Sequence, residues 1–200
     1  MASKIITISR EFGSGGRTIG REVAKKLGIP FYDKELVDQI AVSSGFDPSF
    51  IEEHGEHSPT RSRFAYAFSH QAVPGVMNGM STADFLWSIQ CSVILDLADK
   101  GPCVIVGRNA DYILKDREDV LNVFIHADMD FREDRIVRLY GSSEKSPEAR
   151  LQEKDKRRRI NYQHYTGRTW GMSTNYDLCL NSSKVGIEAC IDTIVSLSSL

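Results

Sequence analysis

The stretch Ile8–Gly20, ISREFGSGGRTIG, decides how the rest of the chain reads. It follows the short β-branched run Lys4–Ser9 (KIITIS) and runs into TIGREVAKKL, Thr18–Leu27, where Ile19, Val23 and Leu27 fall at helical spacing. Strand, glycine turn, helix is the setting of a phosphate-binding loop of pattern G-x-x-x-x-G-K-[ST]. Aligned on Gly16 and Thr18, the pattern puts Glu11 at the first glycine and Arg17 at the lysine. Gly13, Ser14, Gly15 and Gly16 allow backbone N–H groups to converge on an anion, and the helix N-terminus adds positive potential. Arg17 brings a planar, permanently charged fork in place of an ammonium, and the Thr18 hydroxyl is placed to meet Mg²⁺. The competing reading is a glycine turn that only packs helix on strand.

Working outward, Gly28 and Pro30 stop the first helix, and Ile29–Asp33 (IPFYD) reads as a second strand. A helix is expected over 34–43. Residues 44–81 carry Gly, Pro, Ser, His and Arg with weak periodicity and read as an insertion rather than core. A helix over 82–99, strands at 101–108 (GPCVIVGR) and 120–127 (VLNVFIHA), helices over 131–140 and 147–165, a strand at 176–183 (YDLCLNSS) and a helix over 185–197 complete the chain. Apolar strands alternating with helices predict an α/β fold with a five-stranded parallel sheet covered on both faces.

Bulk properties bound the function. At 200 residues the chain is one domain with a sizeable core, 1–200, and a net charge of −2 gives no global basic field for nucleic acid or anionic membrane. No apolar run is long enough to span a bilayer and no signal peptide is visible, so a cytoplasmic protein, monomer or homodimer, is expected. The four cysteines lack C-x-x-C spacing; Cys103 and Cys179, in apolar strand-like runs, are expected to be buried thiols.

Two more signals carry chemistry. In IVGRNADYIL, Gly107 and Arg108 end a buried strand, where ligands bind in open α/β sheets. An arginine there needs an anion or a carboxylate, and an Arg108–Asp111 surface pair is the plainer alternative. In EKDKRRRINYQHYTGR, Glu153–Arg168, residues Asp155, Arg158, Tyr162 and Tyr165 fall at helical steps. A solvated polar helix is the ordinary account of such a run. Asp33, after the second strand, serves either to orient an acceptor hydroxyl or a Mg²⁺-bound water, or as the N-cap of the next helix.

In order and spacing, SREFGSGGRTIG, PFYDKELV, VIVGRNADYIL, FIHAD with its arginine-bearing helix, DKRRRINYQHYTG and NYDLCLNSS resemble the cytidylate-kinase-like branch of the P-loop nucleoside monophosphate kinases. The resemblance implies a P-loop NTPase three-layer sandwich with a helical lid (141–174) and an acceptor-binding insertion (44–81). It implies ATP and Mg²⁺ as cofactors and a small-molecule phosphate acceptor, a nucleoside monophosphate of CMP type. On that reading Gly13–Thr18 hold ATP, with Thr18 also the metal contact. Arg17, Asp155 and Arg158 serve catalysis, and Asp33, Arg108, Asn109 and Asp111 hold the acceptor. The family's Gly-Arg-Asp turn is Gly107-Arg108-Asn109 here, with Asp111 the candidate replacement carboxylate, and Tyr32–Gln39 lacks the family's Ser-Gly-Ala turn and its arginine. The polar lid is expected to be loosely held, because it offers few large apolar residues. Three other readings stay open: a kinase for a non-nucleotide acceptor, a nucleotide-binding regulator without turnover, and an RNA-binding module using the 154–168 helix.

Overall fold

The computed structural model describes residues 5–45, 47 and 81–198; most of the 44–81 insertion therefore lies outside the described residues. Five strands, β1 (Ile5–Arg10), β2 (Phe31–Tyr32), β3 (Cys103–Val106), β4 (Val120–His126) and β5 (Leu178–Asn181), form one sheet. Its order is β2-β3-β1-β4-β5, with every pairing parallel. The helices are α1 (Gly16–Leu27), α2 (Lys34–Ser44), α3 (Thr82–Lys100), α4 (Ala110–Ile113), α5 (Met129–Tyr140), α6 (Pro147–Thr166), α7 (Ser182–Val185) and α8 (Ile187–Ser198). The strand over 29–33 shortens to two residues, and the short turns α4 and α7, too brief for periodicity to signal, were not foreseen.

Alternation along the central strands builds the three layers. Ile6 and Ile8 of β1, with Val104, Val106, Val123 and Ile125, pack against Ile19 and Val23 of α1 and Ile191 and Ile194 of α8. Ile5, Cys103 and Ile105 face the other way, onto Leu36 and Ile40 of α2 and Ile94 and Leu97 of α3. Burying each such aliphatic side chain contributes roughly 1.5–3 kcal/mol. Only residues apolar at every position satisfy a strand covered on both sides, which is why these runs were legible. β5 is an edge strand, and Cys179 on it is exposed, against the expectation of a buried thiol; Cys103 and Cys190 are buried.

A second expectation is overturned in α6. The polar lid segment is not loosely held along this helix: Leu151 and Tyr162 are 0% and 1% exposed, and Asp155 and Asn161 are buried. Leu151, Asp155, Arg158 and Tyr162 are spaced i, i+4, i+7, i+11, one stripe of the helix. The stripe is held by ion pairs and hydrogen bonds instead of apolar area, so a hydrophobicity count misses it. Tyr165 extends the attachment by stacking on Trp87 of α3 at 4.3 Å.

Candidate active site

The glycine loop emerges from β1 and closes on the N-terminus of α1. Gly15 is the N-cap residue, left-handed at φ 85°, and no side chain caps the helix. Its first-turn N–H groups therefore point outward unclaimed by any cap, and the first turn carries no acidic residue. Such a helix start suits an anion. Ser14 does not face it. Its hydroxyl donates inward to the carbonyls of Glu11 (2.9 Å) and Ile125 (3.1 Å), tying the loop to β4, and its backbone N–H donates to the Glu11 carbonyl at 3.3 Å.

Arg17 extends from α1 to an ion pair with the carboxylate of Asp33. Asp33 occupies the N-cap position of α2, but its side chain makes no capping bond, so the acidic group is spent on Arg17 and not on the helix. The Thr18 hydroxyl accepts a hydrogen bond from Arg135 Nη2 at 2.8 Å. Arg135, from α5, also lies close to the Gly15 backbone, putting a second guanidinium over the loop. Sequence reasoning did not single it out; its signal was an arginine one turn after Arg132 on the helix that follows β4.

Above the loop sits a saturated ion cluster. Arg132 of α5 is 4% exposed and donates Nε to the Phe12 carbonyl at 2.8 Å. Its two Nη groups meet Glu11 at 3.2 Å and Asp155. Asp155 also accepts the Phe12 N–H at 2.8 Å, so α6 holds the N–H of Phe12 while α5 holds its carbonyl. Glu11, at the position of the pattern's first glycine, accepts the Ala127 N–H at 3.2 Å. Asp155 is thus turned toward Arg132 and the loop backbone, not toward open space; its contact with Arg158, at 3.6 Å, is the longer one.

A recess opens beside this cluster at the C-terminal ends of β1 and β3. Arg10, Arg108, Arg158, Asn109, Asn161 and Trp170 line it. It is narrow, about 20 Å³. Arg108 and Asn109 have φ of 57° and 55°, directly after Gly107 at 74°, so three consecutive residues are left-handed. For the two non-glycine residues this conformation costs of order 1–3 kcal/mol each, and such strain concentrates at functional sites. The turn is braced by Gln90, whose amide donates to the Arg108 carbonyl at 2.8 Å, and Asn109 donates to Asn161 at 3.0 Å. Arg108 Nη1 is buried without a hydrogen-bond partner. Arg158 Nη1 donates to the Arg10 carbonyl at 3.1 Å, and its guanidinium lies over the Phe12 ring.

Asp111 is not part of this lining. It is 3% exposed, and its carboxylate accepts from the Tyr162 hydroxyl (2.7 Å) and the Ser9 hydroxyl (3.2 Å). The surface pair with Arg108 does not form, because the first turn of α4 directs the side chain under α6. Burial pushes the Asp111 carboxyl above its ordinary value despite the two donors. Tyr162 is pushed up as well, by burial first and by the neighbouring carboxylate second. Of the sequence candidates, the structure brings Gly13–Thr18, Arg17 and Asp33 together on one side, Arg108, Asn109 and Arg158 on the other, and leaves Asp111 beneath.

Among the described residues no cluster of three or more His, Cys, Asp or Glu is placed to hold a metal, and no helix is long and apolar enough to cross a membrane. Compared with known proteins, the chain matches the cytidylate kinase-like family over residues 5–184. It is 25% identical to the cytidylate kinase of Pyrobaculum aerophilum over 192 residues, 94% of this chain and 88% of that one. With the cytidylate kinase of Archaeoglobus fulgidus it shares 26% identity, over 95% and 92% of the two chains. An uncharacterised protein from Eubacterium ventriosum superposes with TM-score 0.70 at 28% identity, covering 96% of each chain. Shikimate kinase from Acinetobacter baumannii, at 16% identity and TM-score 0.54 over 97% and 92% of the chains, shares the fold. Sheet order, glycine loop and sequence agree: the chain belongs to the cytidylate kinase-like family, kinases built on the P-loop fold.

Proposed function

We propose that the protein transfers the γ-phosphoryl group of ATP to a nucleoside monophosphate of CMP type, bound in the recess at Arg108. The observation that carries this is the strained Gly107–Asn109 turn, which sets a buried guanidinium nitrogen without a hydrogen-bond partner one strand away from the glycine loop. Strain and an unsatisfied buried donor are both costs, and an anionic ligand offsets them.

The glycine loop fits ATP. Its helix N-terminus is uncapped, its glycines are left-handed, and Arg17 and Arg135 stand over it. Gly13–Thr18 N–H groups and Arg17 would hold the β- and γ-phosphates, with Arg135 beside them. The Thr18 hydroxyl would meet Mg²⁺ once Arg135 turns from it onto the phosphates. ATP with Mg²⁺ supplies a transferable phosphoryl group whose charge is partly neutralised. Arg17 leaves Asp33 for phosphate, which frees the Asp33 carboxylate to orient the acceptor. Arg108 and Arg158 hold the acceptor phosphate in line and stabilise charge on the equatorial oxygens. Asp155 acts through Arg132 and the Phe12 N–H as a positioning residue for α6 and Arg158. A recess of about 20 Å³ has room for about one water, so acceptor binding requires this wall, α6 or the 167–172 segment, to move outward and close again.

A coupled ADP-release screen over all nucleoside monophosphates and a panel of small alcohols, shikimate and gluconate among them, tests this. Turnover with a pyrimidine monophosphate is the expected result. Turnover confined to a phosphate-free alcohol overturns it in favour of a second reading, a non-nucleotide acceptor. That reading draws on Asn109 in place of an acid, its amide already tied to Asn161. A 65-residue stretch 35% identical to a shikimate kinase of Salinispora tropica, 32% of this chain, leans the same way.

A further inference from the structure

The strained turn at Gly107–Asn109 is held from a helix that lies outside the recess. Gln90 belongs to α3, and among the described residues lining the recess none comes from that helix. On α3 the buried positions Leu86, Gln90, Val93, Ile94 and Leu97 fall at i, i+4, i+7, i+8 and i+11, one stripe of the helix. Four of the five are aliphatic members of the core under the sheet, and the fifth is an amide, 5% exposed. A buried amide is unfavourable unless it is hydrogen-bonded. Leucine or methionine would fill the position without that penalty, so packing alone does not account for a glutamine.

The amide goes to one carbonyl. Of the three carbonyls of the turn, that of Gly107 accepts the Ala110 N–H at 3.1 Å, and that of Asn109 accepts the N–H groups of Tyr112 and Ile113, both at 3.0 Å. These bonds form with the first turn of α4. The Arg108 carbonyl lies outside that ladder and accepts Gln90 Nε2 at 2.8 Å. Its direction is the direction of the Arg108–Asn109 peptide plane. Turning that plane over would carry φ of Asn109 out of the left-handed region, a relaxation the backbone favours, since Arg108 and Asn109 stand at φ 57° and 55°. Gln90 opposes it: a reversed carbonyl would leave the buried amide without this partner. A relaxed turn also redirects the Cα–Cβ bond of Arg108, whose Nη1 is buried without a hydrogen-bond partner.

We propose that Gln90 is a positioning residue of the acceptor site: by holding the Arg108–Asn109 peptide it keeps the turn left-handed and so aims Arg108 into the recess. This rests on the acceptor reading above, in which Arg108 meets the acceptor.

Two full-length variants test it. Gln90→Met keeps the volume and loses the donor; Gln90→Asn keeps the amide on a stem one methylene too short. Crystal structures without ligand read the turn, and steady-state ADP release with ATP and CMP reads the site. Arg108→Met, alone and combined with Gln90→Met, completes a double-mutant cycle. In both Gln90 variants Asn109 is expected at negative φ, the KM for CMP at least tenfold higher and the KM for ATP within about threefold of wild type. Adding Gln90→Met to Arg108→Met should change the KM for CMP by less than about twofold, because Gln90 acts through Arg108. A side chain that merely packs would not separate the two substrates, and its effect would multiply with that of Arg108→Met. An unchanged turn in both variants, an unchanged KM for CMP, an equal rise in both KM values or a multiplicative cycle each overturns the assignment. A relaxed turn in the variants while the wild type phosphorylates no nucleoside monophosphate overturns the proposed activity and leaves Gln90 as the brace of the turn. An unchanged turn alongside CMP turnover does the reverse.

Discussion

Two kinds of arginine environment lie on either side of the glycine loop's neighbourhood, one around Arg132 and one around Arg10, Arg108 and Arg158. Arg132 sits in a cage of two carboxylates and a carbonyl, and every arm of its fork is engaged. Arg10, Arg108 and Arg158 line a recess whose described lining holds no acid. The side-chain chemistry is the same, and so is the strong burial or half-burial. What differs is the local count of acceptors. A buried guanidinium matched by carboxylates is a fastener, and removing one partner strands the other. In the recess, Arg108 Nη1 is buried without a hydrogen-bond partner, a cost that an anion from outside would offset.

The sharpest way to break that contrast is Arg132→Ala. It leaves Glu11 without Arg132 and Asp155 with only its longer contact to Arg158, and a loss of about 3–5 kcal/mol of folding stability is expected, a large share of a small domain's total. Urea denaturation measures it, and a midpoint unchanged from wild type would mean the cage is no fastener. Arg17→Ala comes next. Its expected signature is a fall of about 10²- to 10³-fold in turnover per ATP bound, roughly 3–4 kcal/mol of transition-state stabilisation, with the unfolding midpoint kept. Arg17→Lys keeps the charge without the fork and recovers part of the rate. Steady-state kinetics against ATP decides this, and an Arg17→Ala enzyme with wild-type kinetics removes the phosphate role.

Arg158→Ala sharpens the comparison from the other side. Turnover should drop about 100-fold, about 2.7 kcal/mol, while ATP affinity stays within a factor of three, because its contact with the transferring group belongs to the closed complex. A loss confined to ATP affinity would move Arg158 to the nucleotide side. Hydrogen exchange adds a check on the same helix. Amides around Leu151–Tyr162 should be slow even without ligand, held by the cage and by Tyr162, while 141–146 exchanges fast.

The smallest effect belongs to the carboxylate beneath the site. The fold favours the protonated form of Asp111, so its ionisation opposes folding. Its contribution to stability is greatest below the ordinary carboxylate value and declines as pH rises through the raised one. Asp111→Asn should abolish that part of the pH dependence and change stability at neutral pH by no more than about 1 kcal/mol, one hydroxyl rotating to suit the amide. Thermal melts from pH 4 to 8 test it. A wild-type and Asp111→Asn difference that does not vary with pH would show that the carboxylate does not titrate in this range.

Sequence alone determined the layers and the strand–glycine turn–helix at the N-terminus. Strands such as CVIV are apolar on both faces, and IITIS is apolar on one and buried on the other, so local pattern and chemistry point the same way. It also named Arg17, Arg108 and Arg158. The orientations of the charged groups were beyond it. Asp111 reads as an acceptor contact and Asp155 as catalytic, and only the fold shows the contacts that orient them, 51 residues away from Asp111 at Tyr162 and 143 away from Asp155 at Phe12. Polar stripes leave no hydrophobic periodicity, which is why α6 read as a loose lid. Gln90 went unremarked because its partner is a carbonyl 18 residues on, in a turn whose conformation the fold sets. Whether an arginine fastens the fold depends on which carboxylates come within reach. That set exists only once β1, β3, α5 and α6 have come together.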